Sequence, residues 1–400
     1  MSSGDPMIHI YRGHQLPDGL PSPDVYFLPG YGQAAAVADD GEWVLIEAFD
    51  GAWQMPLIVQ TLADGTKDAM SPYGYSGIYA SPSLNSLQVQ QAWFATVDFL
   101  GKEAIISVLL RHSPLVPQAY DLPGLISIVS GHPTIVLEPA DGDSAWSNME
   151  SRCRNQTRKA LKNGYTGDVR AVAAQDLAPD SDFRRLYEQT MKRRDATPQF
   201  FFEDGYYREL LAGLGANLFI AEVRNPAGDA ASSTLLMRHG KLLHYHLAGS
   251  NVSDARMGAN NLMLWTATQF AVTHGMSQFH LGGGLEARDD LFRFKSNFGG
   301  RELEYRVSGL VVDEKLYREH VRNRAKAFDV TTDTLLASNH FPAYRGGTPV
   351  SGEPQDSEAT DAKRAPDTAP SPIVHINSAW LNDQVRCEQN WLSTALDSRR

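Results

Sequence analysis

A strand that runs directly into three glycines constrains this chain more than any other stretch. Ser277 to Leu281 alternates, with Phe279 and Leu281 toward one face and Gln278 and His280 toward the other, the period of a strand. Gly282-Gly283-Gly284 then ends it with backbone that carries no side chains, so another group can approach closely. Asp289 or Asp290 supplies an N-cap for the next helix, Phe294 and Phe298 share a face four residues apart, and Gly299 is a natural stop. Arg293 and Lys295 are left as two cations on a short helix beside a bare loop. Two readings stand: a connection with a solvated basic face, or fixed positive charge facing a substrate.

The 400 residues suffice for two or three domains, and the apolar and charged fractions are those of a soluble globular chain. No apolar run is long enough to span a bilayer, and Met1 to Pro6 shows no secretory signal. Cys153 and Cys387 make no disulfide framework. These features together point to the cytoplasm. A formal charge of −11 argues against indiscriminate nucleic-acid binding, yet residues 152–170 are locally basic. Arg154, Arg158 and Lys162 are four apart, so a helix sets them on one face, either as a solvated surface or as a phosphate or RNA contact. There is no metal-ligand spacing, no nucleophile–histidine–acid signal and no phosphate-binding lysine loop, so no metal is expected.

The periodicity divides the chain into two α/β units and a tail, with boundaries at 1–148, 149–340 and 341–400. In the first, Trp43–Phe49 and Trp53–Val59 read as strands around a turn, 84–100 as a helix and 104–110 as another strand. Ser71 to Gly77 is a loop that presents Tyr73 and Tyr75 between glycines. In the second, Phe183–Arg194 is helical, and 218–223, 230–238 and 242–247 form a strand series. Residues 260–273 form an apolar helix with the character of a buried one. Residues 301–312 are a strand and 316–328 an amphipathic helix. Leu109–His112 and Leu236–His239 look like a faint internal repeat. From Tyr344 to Pro372 large apolar residues almost vanish, as in a disordered linker, and residues 380–396 have the pattern of a short amphipathic helix.

Several segments in one order carry a resemblance. These are "RNQTRKALKNGY" from Arg154, "LYEQTMKRRDA" from Leu186, "HYHLAGS" from His244, "GANNLMLWTATQFA" from Gly258, "FHLGGGLE" and "LFRFKSNFGG". Together they resemble the Fem-type aminoacyltransferases of peptidoglycan bridges, a branch of the GNAT acyltransferase superfamily. The match runs from about Arg152 to Gly300, is thinner before residue 150 and is absent after about 340. It implies an α/β (α+β) fold of two tandem GNAT-like domains with mixed central sheets. It also implies transfer of an amino acid from aminoacyl-tRNA to an amine on a cell-wall precursor or small molecule, with no bound cofactor. A coenzyme A-dependent N-acyltransferase using acetyl-CoA, and an inactive binding scaffold, are the alternatives.

The resemblance assigns roles residue by residue. Lys295 and Arg293 match the cationic pair of the "FRFK" segment. His246 or Tyr245, on opposite faces of their strand, and Glu286 are candidate proton acceptors. Donor binding is expected in a splay between the strands at 242–248 and 277–281, with Ala248 and Ser250 beside it. The helix start at Gly258, Asn260 and Asn261 is expected to face donor phosphates. Its loop, Arg256-Met257-Gly258-Ala259-Asn260, is one residue shorter than the coenzyme A-binding pattern and ends in Asn, which favours a tRNA end over the coenzyme. Tyr73, Tyr75 and Arg193 are expected to hold the acceptor.

Overall fold

The computed structural model describes residues 8–346 apart from 15, 285, 286 and 339. Glu286, the linker beyond 346 and the helix expected at 380–396 lie outside the described residues. In the first half the strands are β1 (His9–Arg12), β2 (Glu42–Ala48), β3 (Trp53–Thr61), β4 (Lys67–Met70), β5 (Tyr79–Ala80), β6 (Ile105–His112) and β7 (Leu125–Leu137). Its helices are α1 (Pro29–Ala38), α2 (Ser86–Lys102) and α3 (Gly142–Asn148). The second half contributes α4 (Ser151–Lys162), β8 (Thr166–Ala171), α5 (Asp182–Arg193), α6 (Asp204–Leu214), β9 (Leu218–Arg224), β10 (Ala230–His239) and β11 (Leu242–Ser250). It continues through α7 (Val252–Arg256), α8 (Ala259–Thr273), β12 (Gln278–Gly283), α9 (Asp290–Ser296), β13 (Arg301–Val311), α10 (Glu314–Ala327) and α11 (Thr332–Ala337).

All these strands join one sheet, in the order β1-β2-β3-β4-β6-β13-β7-β12-β11-β10-β9-β8, with β5 beside β3. Each half therefore repeats one plan. An antiparallel series leads to a parallel pair joined through a helix: β4 and β6 through α2, and β11 and β12 through α8. The halves then exchange their ends. β13, late in the chain, pairs with β6 on one side and β7 on the other, and β7 pairs with β12. A cut at 148/149 follows chain order but not the sheet. The Leu109–His112 and Leu236–His239 segments lie on β6 and β10, which are not equivalent strands in this plan, so the likeness between them is not a structural repeat.

Only one of the parallel pairs opens. β4 and β6 stay together: their ladder runs to Met70↔Leu109, Ser71 N donates to Leu109 O at 2.8 Å, and a parallel bridge joins Ser76 to His112. Residues 341–346, expected to lie beyond the folded body, fasten this pair. The buried Tyr344 hydroxyl donates to Asp68 on β4 at 3.0 Å and meets Ser107 on β6 at 2.7 Å, while Arg345 grips both oxygens of Asp68 at 2.6 Å. Phe341 and Tyr344 pack with Tyr317 and Val321 of α10. β11 and β12, by contrast, pair only from Leu242↔Gln278 to His244↔His280. Beyond that β12 turns to β7 and β11 follows β10.

The halves also touch through α1 and α6. A Cβ on Gly30 would lie 2.5 Å from Gly213 Cα, so the two backbones meet with no side chain between them. Both obstructing groups are main chain and cannot swing away. Gly30→Ala or Gly213→Ala should therefore cost about 1–3 kcal/mol of stability, in the range of overpacked cores, read as a lowered thermal midpoint. Gly228→Ala in the exposed turn, with nothing within 4 Å of its Cβ but a φ of +90°, is the milder comparison.

Candidate functional site

The site is organised by the glycine loop at the end of β12, and each glycine is required by a different neighbour. A Cβ on Gly282 would sit 3.0 Å from the Tyr75 hydroxyl and 3.6 Å from Lys295 Nζ, and its φ is +73°. On Gly283 it would meet Pro133 O at 2.7 Å, and on Gly284 it would overlap the Asp289 carboxylate. That carboxylate caps α9 by accepting from Phe292 N at 2.7 Å. The loop is thus bare because β7, the first-half tyrosine loop and α9 all close on it.

Lys295 lies inside this junction. It is 2% exposed, its Nζ donates to Gly283 O at 2.7 Å, and it stands 5.5 Å from the centre of the Tyr245 ring. This excludes the solvated-face reading for Lys295: α9 has seven residues and packs against both β7 and β12, so Leu291, Phe292, Phe294 and Lys295 are all enclosed. Arg293 does not join it. Its exposed side chain pairs with Asp290 and donates to Arg288 O at 3.3 Å.

The tyrosine loop of the first half reaches the end of β12. Gly74, at φ +106°, lets the Tyr26 ring pass where a Cβ would collide. The Tyr75 ring lies 4.7 Å from His280 and 5.1 Å from Tyr305, and its hydroxyl accepts from Gly283 N at 3.4 Å. Tyr73 lies 6.3 Å from His246 and 6.2 Å from Phe200. Arg193 is not among them; it donates to Ser250 O at 3.1 Å and to Thr190 Oγ1 at 3.1 Å.

Past His244, β11 carries one extra residue relative to β10: Leu236 pairs with Tyr245, but Thr234 pairs with Ala248. This bulge re-aims side chains where the ladder is open on the β12 side. Tyr245 and Ala248 face the core around α8, whereas His246 and Leu247 face α1, α5 and α6. His246 is ringed by Tyr31, Tyr73 and Tyr206, and burial pushes its imidazole down to about 3. It is neutral at pH 7 and a weaker base than an ordinary histidine. Burial likewise holds His280 well below the ordinary histidine range, with His244 and Lys295 adding to the effect.

Several site residues were not singled out from sequence. His244 is fully buried and its Nε2 lies 2.7 Å from Asp24 Oδ1, in the loop before α1. His280 lies beside His244, ring centres 5.8 Å apart, at the last paired rung before the strands part. His132 Nε2 lies 3.0 Å from Gly284 O. The alternation of His244 with His246 was a usable signal; nothing in the sequence pointed to Asp24 or His132.

The start of α8 differs from expectation. Gly258 caps it at φ +95°, and a Cβ there would lie 2.3 Å from Gln156 O of α4. Ala259 and Asn260 are buried, and Asn261 Nδ2 donates to Cys153 Sγ at 3.3 Å. The first turn is thus roofed by α4 and is not open to phosphates. Ser250 is also committed, its N–H donating to Thr190 Oγ1 at 3.0 Å. α4 itself sets Arg154, Arg158 and Lys162 on one side. Arg154 is used at the α3–α4 junction, donating to Ser147 O at 3.0 Å, and Arg158 lies over the Trp146 ring at 5.1 Å. Lys162 is exposed. Among the described residues no carboxylate is within ion-pair reach of Arg152, Arg154, Arg158, Lys159, Lys162 or Arg256.

Residues 151–296 match the family described as acetyltransferase (GNAT) domain. The stretch from α4 to α9 therefore has a GNAT-type acyltransferase fold. The fold of the whole is similar to the crystal structure of FemX, with a TM-score of 0.57 and 14% identity over 75% of this chain and 95% of that one. It is also similar to L-PGS from Bacillus licheniformis (TM-score 0.47, 11% identity, 69% of this chain and 85% of that one). Saccharomyces cerevisiae N-myristoyltransferase with bound myristoyl-CoA is a further match (TM-score 0.39, 9% identity, 71% and 74%). No curated protein matches by sequence. Among the described residues no helix is long and apolar enough to cross a membrane.

The buried histidines make stability depend on pH. His246 is held at about 3 and His112 and His340 at about 4, all by burial. Between an unfolded value near 6.5 and those folded values, the unfolded chain binds more protons. Stability is therefore full above about pH 6.5 and falls as pH drops, by up to about 1.4 kcal/mol per pH unit for each histidine that stays neutral. Urea midpoints should be flat from pH 7 to 8 and decline steadily from pH 6.5 to 4.5.

Proposed function

We propose that the chain transfers an aminoacyl group from aminoacyl-tRNA to an amine, forming an amide. The observation that carries this choice of donor is the roof of α4 over the first turn of α8. An open helix start would suit a compact pyrophosphate; here it is buried, and the available positive charge lies outside it, on α4 and at Arg256, without carboxylate partners. That arrangement suits a long anion crossing the surface more than a coenzyme held at one helix end. The parting of β11 and β12 gives its acyl end a route to Lys295 and the glycine loop. The acceptor, a cell-wall precursor or other amine-bearing molecule, approaches from the side of Tyr73 and Tyr75. The amine nitrogen forms the new bond to the acyl carbon, the ester C–O bond breaks, and the nitrogen's proton leaves with the departing ribose oxygen. Lys295 supplies fixed positive charge where negative charge develops. Such a donor belongs to the cytoplasm.

A coenzyme A-dependent reaction is the second reading, favoured by the family description of residues 151–296 as an acetyltransferase domain. Incubation with a charged tRNA pool or with acetyl-CoA, each with a panel of amines, separates the two. Amine-dependent loss of aminoacyl-tRNA is expected; consumption of acetyl-CoA alone would reverse the assignment, and turnover of either rules out an inactive scaffold.

Two variants probe the residues. Lys295→Met keeps the buried volume and removes the charge, and should lower turnover roughly a hundredfold, the effect of losing about 3 kcal/mol of transition-state stabilisation. A melting curve checks that the fold is retained. Replacing Arg158 and Lys162 together by Glu should weaken tRNA binding at least tenfold and flatten its salt dependence by about one power of salt concentration per lost contact. Unchanged binding, measured by filter retention at several salt concentrations, would remove α4 from the donor path.

A further inference from the structure

His246 offers more than a weakened base. Its Nε2 lies 2.6 Å from the Tyr206 hydroxyl. Tyr206 is 2% exposed, and that hydroxyl has no other hydrogen-bond partner among the described residues. A phenol that accepted a hydrogen bond from Nε2–H would leave its own O–H unsatisfied in the core, which is costly. Tyr206 therefore donates, and burial pushes its phenol well above the ordinary tyrosine range, which keeps that proton in place. Nε2 is then the acceptor, and in a neutral ring the single proton resides on Nδ1.

That Nδ1 has no partner among the described residues, and the ring is half-buried, not sealed. Around it stand Tyr31 at 5.9 Å, Tyr73 at 6.3 Å and Tyr206 at 6.5 Å, ring centre to ring centre. The charged form of His246 is opposed by burial and by His244; no carboxylate or guanidinium acts on it. The wall is aromatic and uncharged, and it presents one N–H. Such a group does not select an ammonium or a carboxylate; it matches a neutral carbonyl oxygen lying against flat rings.

We propose that His246 is a specificity-determining hydrogen-bond donor, locked as the Nδ1–H tautomer by Tyr206, that positions the acceptor through an amide carbonyl. This rests on the transferase reading for its substrate, but not for the tautomer. The test begins with 15N-histidine-labelled full-length protein, with the His246 signal identified by its loss in His246→Phe. An unprotonated Nε2 and protonated Nδ1, unchanged from pH 8 to 5, are expected. A midpoint near 6.5 or a protonated Nε2 would overturn the assignment. In Tyr206→Phe the lock should be lost and both tautomers appear; a single unchanged Nδ1–H form would also count against it.

Kinetics then test the recognition. In His246→Phe the KM for alanine amide as acceptor should rise about tenfold, the worth of one neutral hydrogen bond, with little change for propylamine, which has no carbonyl. The pH–rate profile should keep its shape. Equal losses for both amines, or loss of one limb of the profile, would overturn the role. The spectra decide the tautomer whether or not acyl transfer is found, so the two readings fail separately.

Discussion

Close approach of backbone to other groups at Gly282, Gly283 and Gly284 is the constraint on which the site depends. A side chain at any of the three would crowd the Tyr75 hydroxyl, the Pro133 carbonyl or the Asp289 cap. Those neighbours come from three places in the chain: the first-half loop, β7 and α9. The loop is therefore less a flexible connection than the one place narrow enough for all three to meet. Lys295 is fixed by that meeting. A lysine ammonium in solvent can rotate freely; here one donor is committed to Gly283 O and the stem is enclosed. A charge so held needs no reorganisation when negative charge appears beside it.

The two halves follow the same plan but have diverged at the point that matters. Where β11 and β12 separate, a bulge turns His246 and Leu247 together toward the tyrosines. Where the first half has its parallel pair, Tyr344 and Arg345 bind Asp68 and Ser107 across the two strands. One slot stays open and the other is fastened by residues 341–346. Tyr73 and Tyr75 of the first half lie against His246 and His280 beside the slot of the second.

Much of this was readable in the residues. Strong periodicity marked α2, α5, α8, β2, β3, β9, β10 and β11, and the glycine loop announced the close approach that the structure shows. β7 was missed because Gly131-His132-Pro133 interrupts it; the interruption is a bulge within a continuous strand, with Gly131 at φ +70°. The burial of Lys295 was missed because the pairing of Phe294 with Phe298 shows where apolar side chains go, not that a seven-residue helix is covered on a second side. The covered start of α8 was missed for a similar reason. A helix sequence reports its own faces but not that α4, a hundred residues earlier, lies across its end. The resemblance to Fem-type enzymes agrees with the acetyltransferase (GNAT) match over residues 151–296, but it ranked His246 as a base. The tyrosines that make it a poor one come from three separate segments.

The exchange of β7 and β13 has a consequence for how the protein comes to exist. β6 cannot gain its second neighbour until β13 is made, and β13 follows it by almost two hundred residues. As the chain leaves the ribosome the first half has its helices and most of its strands, yet β6 remains an open sheet edge. Non-local strand pairing of this kind is slow, and an open edge is exposed to other chains while it waits. The same feature that welds the halves into one sheet makes the unfinished first half the most aggregation-prone moment of synthesis. Neither half, expressed by itself, would carry the strand that completes its sheet.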